Sequence, residues 1–112
     1  MTQSPWLAHY PKDVPAELSK VPFVHLAELV KKASNDYSKT IAFTQVMPNG
    51  MNGSLTYKKI DSLSDDFAAY LRETLTLKAG TRVAVQMPNC LAYPIVAFGV
   101  MKAGLVLVNT NP

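Results

Sequence analysis

RVAVQMPNCLAYPIVAFGVMKAGLVLVN, residues 82–109, is the stretch whose reading decides the fold. Its first six residues, Arg82 to Met87, and its last five, Leu105 to Asn109, are short, Val-rich apolar runs of strand length. Pro88-Asn89 closes the first run, and Asn89 is the candidate N-cap of the helix that follows. Pro94 cannot donate to a carbonyl one turn back, so regular helix is expected from about Leu91 to about Lys102. Gly104 then stops it, because glycine accepts the left-handed backbone that ends helices. Strand, helix and strand in this order form a βαβ unit, with parallel strands and a right-handed crossover. The expected fold class is therefore α/β. The same stretch also has to be weighed as a membrane span, since Leu91 to Val108 is apolar over about the length a bilayer requires. Pro94, Lys102 and Gly104 inside it, with a β-branched run after the glycine, favour a buried helix followed by a buried strand.

Upstream, Lys78-Ala79-Gly80 makes a turn, and Thr56 can cap a long helix from Tyr57 to about Leu75. The apolar face of that helix is Ile60, Leu63, Phe67, Ala68, Leu71 and Leu75, with Asp61, Asp65 and Asp66 expected on a solvated face opposite. Before it, Thr40 to Val46 alternates like a strand and Ser54 to Tyr57 can return beside it. Pro48-Asn49-Gly50 and Asn52-Gly53 supply the turn of this hairpin. From Val24 to about Asn35, Leu26, Leu29, Val30 and Ala33 recur at helical spacing. Four of the eight prolines (Pro5, Pro11, Pro15, Pro22) fall in residues 1–22. That segment is expected to be an extended, proline-rich arm rather than a helix, anchored by Trp6, Leu7, Tyr10 and Val14. Residues 23–112 are expected to hold the rest as one unit, without internal repeat or linker.

Composition narrows function. With 112 residues, 48% hydrophobic and 17% charged, the chain can bury one core. The net charge of +3 arises from scattered basic residues. The adjacent pairs Lys31-Lys32 and Lys58-Lys59 have acids nearby and read as solvated helix faces, so no nucleic-acid stripe exists. Cys90, the single cysteine, cannot form an internal disulfide, and no charged-then-apolar leader follows Met1. A reducing, cytoplasmic setting is the expectation.

No catalytic constellation emerges from the residues. A phosphate-binding βαβ unit needs glycines at the helix start, and Pro88-Asn89-Cys90 has none. Gly99 and Gly104 have Walker A spacing, but Leu105 follows where lysine is required, so close packing and a helix stop explain them. Cys90 at a helix start lacks a base, and His9 and His25 match neither a triad nor a metal site. Asp65 and Asp66 are neighbours on a helix, so their carboxylates diverge and cannot flank one bond. Catalytic, cofactor-binding and metal residues are accordingly expected to be none.

Four short motifs stand in register: Thr56-Tyr57 before a long helix, Lys78 to Val83 as a turn into a strand, Met87-Pro88-Asn89 after it, and Lys102-Ala103-Gly104 before the next strand. Together they resemble the opening region of acyl-adenylate-forming (AMP-binding) enzymes. Trp6-Leu7-Ala8-His9-Tyr10-Pro11 with Val14-Pro15, the pairs Tyr93-Pro94 and Phe98-Gly99, and the ending Val108 to Pro112 are similar to the long-chain fatty-acyl-CoA ligase branch. Thr81 departs from the aspartate usual in the family, at what reads as a turn position. The resemblance implies an incomplete N-terminal subdomain of the adenylate-forming fold. It also implies a parent enzyme that uses ATP and Mg²⁺ to make an acyl-adenylate and then passes the acyl group to CoA.

The phosphate loop, magnesium ligand and mobile C-terminal domain of such enzymes come later in their sequences, so these 112 residues are expected to be inactive alone. The partners implied are the remainder of the parent polypeptide, its fatty acid and CoA. Self-association through unpaired sheet edges and a parent lying at the inner membrane face are further expectations. Another adenylate-former, such as a coumarate-CoA ligase, a luciferase-like enzyme or a peptide-synthetase adenylation domain, is the alternative parent. A non-enzymatic binding or dimerisation module is the alternative class.

Overall fold

A computed structural model describes residues 4–17, 20 and 22–112. Its elements are helix α1 (Leu26–Asp36), strands β1 (Ile41–Val46) and β2 (Asn52–Thr56), helix α2 (Tyr57–Ala69) continued by a π-helical turn (Tyr70–Thr74), strand β3 (Arg82–Gln86), helix α3 (Ala92–Lys102) and strand β4 (Val106–Thr110). The expected βαβ unit is present. β3 and β4 pair in parallel, Arg82 opposite Val106 through Gln86 opposite Thr110, with α3 as the crossover.

The start of α3 corrects one expectation. Asn89 is not the cap; Leu91 holds that position with no side-chain hydrogen bond. Its backbone N–H donates instead to Gln45 Oε1 of β1, at 3.2 Å. Pro94 sits in the first turn, where a missing N–H breaks no helical bond. The end of α3 follows expectation in detail. Gly104 has φ +71°, its N–H donates to Met101 O, and the Leu105 N–H donates to Val100 O. This double closure is a Schellman motif, and its apolar partners Val100 and Leu105 are both buried in one core cluster.

Leu71, Val100, Ala103 and Leu105 form that cluster, with Phe67, Ala68, Leu77, Val83, Val96 and Leu107 packed around it. Only one face of the β3–β4 sheet is covered: Val85 is buried while Arg82, Ala84, Gln86 and Val106 are exposed.

Thr56 caps α2 as expected, its Oγ1 accepting from the Lys59 N–H at 3.2 Å. The helix does not stay α-helical to Leu75. From Tyr70 it widens to a π turn, with the Leu75 N–H reaching Tyr70 O, and Thr76 follows at φ +52°. The widening places Leu75 outside the core. Arg72 Nη1 donates to Leu77 O at 2.8 Å across the same turn.

β1 and β2 form the expected antiparallel hairpin, but Asn52 and Gly53 lie within β2 instead of its turn. Pro48 to Gly50 make the turn, with Gly50 at φ +84° and Asn49 Oδ1 accepting from the Met51 N–H. A bulge between Ile41 and Phe43 breaks the simple alternation.

The face of α1 also differs from its pattern. Leu26 and Leu29 are 60% and 41% exposed, and Ser34 is the helix's one buried residue. Ala27, Val30 and Ala33 are half-buried.

Of the arm expected over residues 1–22, positions 1–3, 18, 19 and 21 lie outside the described residues. Pro5–His9 form a 3-10 helix and not an extended segment. A proline is tolerated in the first turn of a helix, where its fixed φ is already suitable. Trp6, Tyr10 and Val14 are exposed and so do not anchor it; Leu7 alone of the four is half-buried.

Candidate functional site

In open α/β sheets ligands bind beyond the carboxyl ends of the parallel strands, so the Met87–Leu91 loop and the residues after β4 are the place to examine. A groove of about 410 Å³ lies there between the hairpin and the start of α3, lined by Phe43, Gln45, Cys90, Leu91, Tyr93 and Pro94 among others. Several polar groups in and beside it are engaged in hydrogen bonds within the fold. Gln45 Oε1 is taken by the Leu91 amide, the Tyr93 hydroxyl donates to Asn109 Oδ1 at 3.0 Å, and Gln86 Nε2 donates to Asn111 O at 3.1 Å. Thr110 Oγ1 donates to Val85 O at 3.2 Å. These bonds fix the loop and the last strand to the rest of the fold. Cys90 is half-buried with a free thiol, and no histidine lines the groove.

The two histidines are apart. His9 ends the exposed 3-10 helix. His25 is the N-cap of α1: its Nδ1 accepts from the Glu28 N–H at 3.1 Å, and Glu28 Oε2 accepts from the Val24 N–H at 2.9 Å. Histidine thus caps the helix in the usual place of serine or threonine, and Glu28 at N3 reaches back one residue beyond the N-cap, to Val24, instead of to the N-cap amide of a standard capping box. Among the described residues no three of His, Cys, Asp and Glu come close enough to hold a metal ion. Gly104 serves the helix stop described above. Gly99 serves close packing, because a Cβ there would lie 2.7 Å from Phe67 Cδ1 and 3.0 Å from Ser64 O. Thr81 stands in the turn before β3, its N–H donating to Lys78 O and its carbonyl accepting from Val106 N.

A second concavity, at the start of α2, collects Lys39, Lys58 and Lys59 with Ser38, Thr56 and Ser62. The amides that could hold an anion there are already used. Tyr57 N–H donates to Thr40 O and Lys58 N–H to Ser38 O, while Lys59 N–H is taken by Thr56.

The expectation of a solvated acidic face on α2 is overturned at Asp61, while Asp65 stays exposed but is also ion-paired. Lys102 Nζ lies 2.7 Å from Asp61 Oδ1 and 2.7 Å from Asp65 Oδ1, and it also donates to Asp61 O at 3.0 Å. Lys31 Nζ, from α1, lies 2.7 Å from Asp61 Oδ2 and 3.3 Å from Asp65 Oδ2. Lys31 is thus an ion-pair donor between helices, whereas Lys32 pairs within α1 with Asp36 at 2.6 Å. The side chains of Lys102 and Asp61 are only 9% and 13% exposed. Burial pushes the Asp61 carboxyl up, but its hydrogen bonds to Lys102 and Lys31 outweigh burial and hold it below the ordinary carboxylate range. The Lys31 ammonium is raised, first by Asp61 and then by Asp65. The network ties three helices together. Helical spacing alone could not show it, since the lysines lie on α1 and α3 and the carboxylates on α2. The one signal in the sequence was a lysine, Lys102, within an otherwise apolar helix.

A mixed helix–strand unit of this topology, with a parallel βαβ core and a satellite hairpin, is the fold of the N-terminal subdomains of adenylate-forming enzymes. The crystal structure of the fatty acid AMP ligase from Legionella pneumophila superposes on 81% of this chain with a TM-score of 0.73 at 20% identity, the match covering 16% of that protein. Apo MbtA of Mycobacterium smegmatis superposes on 79% with a TM-score of 0.68 at 30% identity, covering 16% of its own chain. The family of AMP-binding enzymes matches residues 30–112, and the chain belongs to that family. Within it, the chain is 43% identical over 107 residues to the long-chain-fatty-acid–CoA ligase of Salmonella typhimurium. That match covers 96% of this chain and 18% of the relative's length.

Proposed function

We propose that this chain is the amino-terminal part of a long-chain-fatty-acid–CoA ligase, that it acts there as scaffold, and that it has no ligase activity alone. The observation that carries the reading is the 43% identity sustained over 96% of the chain to a ligase of which it spans 18%. The residues support it. Gln45 and Tyr93, which line the groove at the carboxyl ends of the strands, serve structural hydrogen bonds, and Gly99 and Gly104 serve packing and helix termination. In the whole ligase a fatty-acid carboxylate attacks the α-phosphate of ATP, with Mg²⁺ bound, and pyrophosphate leaves. The CoA thiolate then attacks the acyl carbonyl and AMP leaves. The Ser/Thr/Gly-rich loop that positions ATP in such enzymes does not occur in these 112 residues, so in-line attack lacks its positioning element.

Incubation of the chain with palmitate, ATP, Mg²⁺ and CoA is expected to yield no palmitoyl-CoA or AMP above a heat-treated control. Turnover above that control refutes the reading.

The division into an arm (1–22) and a partial subdomain (23–112) belongs to the same proposal, as does a cytoplasmic location with the whole ligase at the inner membrane face. The unpaired Cys90 supports a reducing compartment. No helix of the described residues is long and apolar enough to cross a membrane.

Parallel sheets almost always have both faces covered, yet β3–β4 is a two-stranded parallel sheet with exposed Val106 on its bare face. Its outer edges are free of partners among the described residues. In the ligase the remaining polypeptide would cover them. In the isolated chain they favour self-association. Light scattering is expected to show mass rising with concentration; a monodisperse monomer at high concentration contradicts it.

A further inference from the structure

α1 rests on its neighbours with modest apolar burial: Ala27, Val30 and Ala33 are half-buried and Ser34 is its one buried residue. None of its apolar side chains is fully buried, and Leu26 and Leu29 face outward. An open cavity of about 410 Å³ separates its first turn from the end of α3, between His25, Leu26 and Ala27 on one side and Met101, Lys102 and Leu105 on the other. Lys31 makes the directional contacts across this interface, through Asp61 and Asp65 of α2. Each of those carboxylates holds two ammonium groups, Lys102 from α3 and Lys31 from α1. Both sets of pairs are short, but their surroundings differ. The Lys102 side chain is enclosed, whereas that of Lys31 is 52% exposed. Mobile ions screen exposed charge pairs strongly and enclosed pairs weakly. The other charged groups on α1 do not compete: Glu28 is engaged with Val24 N–H and Lys32 with Asp36.

We propose that Lys31 is a salt-sensitive latch, which holds α1 on α2 at low ionic strength and releases it at high ionic strength while the Lys102–Asp61 pair keeps α2 and α3 together. Release uncovers the apolar lining of the cavity, including Leu105, without unfolding the βαβ unit. The inference stands on the ion-pair geometry and not on the ligase reading.

Amide hydrogen exchange of the whole 112-residue chain, resolved residue by residue by NMR, tests it. Raising salt from about 0.05 M to about 1 M is expected to speed exchange in α1 about fivefold, leaving α3 amides unchanged. Lys31→Met keeps the aliphatic stem, so α1 should exchange at the fast rate at both salt concentrations. Lys32→Met should retain the salt response, since its pair lies within α1. Salt-insensitive α1 exchange in the unaltered chain would overturn the latch, as would a salt response surviving in Lys31→Met. Acceleration of α1 and α3 together, or loss of α3 protection in Lys31→Met, would overturn it equally, by showing that Lys31 holds up the whole fold.

Discussion

The Gly99→Val variant is expected to unfold at lower urea concentration, with a stability loss of about 3 kcal/mol, the upper end of what over-packing produces. Two helices meet at this position with nothing between them. The first added carbon would already lie 2.7 Å from Phe67 Cδ1 and 3.0 Å from the Ser64 carbonyl. The Phe67 ring can turn aside, but the carbonyl belongs to the backbone of α2. Ser64 itself is fully buried, its hydroxyl donating to Asp61 O at 2.9 Å. Pushing α2 away would therefore disturb the Lys102 network as well. Gly99→Ala separates sterics from propensity. Alanine favours helix over glycine by about 1 kcal/mol, so packing must exceed that gain for the variant to lose stability. A net loss of about 1 kcal/mol is expected for it. Urea unfolding with an unchanged m-value checks both variants, and a stabilised Gly99→Ala would show that the contact yields.

Lys102→Met is expected to remove about 2–4 kcal/mol at neutral pH, because deleting one partner of an enclosed ion pair leaves the other charge desolvated. Methionine nearly preserves the volume, so loss of packing contributes little. The residual pair with Lys31 keeps the figure below the extreme. The pH dependence is specific. In the folded chain Asp61 is held below its ordinary value of 3.8, the lysines outweighing burial. A carboxyl whose pKa is lower in the folded state binds fewer protons there, so its stabilisation is present above 3.8 and is lost as pH falls through the folded value. The gap between Lys102→Met and the parent chain should be full at neutral pH, where Asp61 is ionised, and close as the pH falls below 3.8 and through the lowered folded value. A gap that stays constant with pH would assign the loss to packing instead.

What could be read from the sequence was local. Thr56, Gly80, Gly104 and Pro48 to Gly50 each act within a few residues through capping or turn chemistry, and all four stand where their chemistry requires. The βαβ unit was legible because a charged turn, a Pro-Asn break and a glycine divide an apolar stretch at strand and helix lengths. What escaped is set by distant partners. Asp61 and Asp65 look solvated on their own helix and are claimed by lysines from two others. Leu26 and Leu29 look like a core face, but among the described residues they are exposed. The π turn at Tyr70–Thr74 has no helix breaker in its sequence, and it leads into a loop where Leu77 returns to the core. Around the candidate groove, the sequence displays a loop without glycines after β3. The hydrogen bond from Leu91 N–H to Gln45 was not legible, because it joins the hairpin to the start of α3 across 46 positions of sequence.

That bond has a bearing on the order of assembly. The β1–β2 hairpin closes over a short turn and can form by itself within microseconds. β3 and β4 cannot pair until α3 has formed and folded back between them, which is the slower event. The side chain of Gln45 sits on the faster element and accepts from an amide at the start of the slower one, so their bond can close only when both are in place.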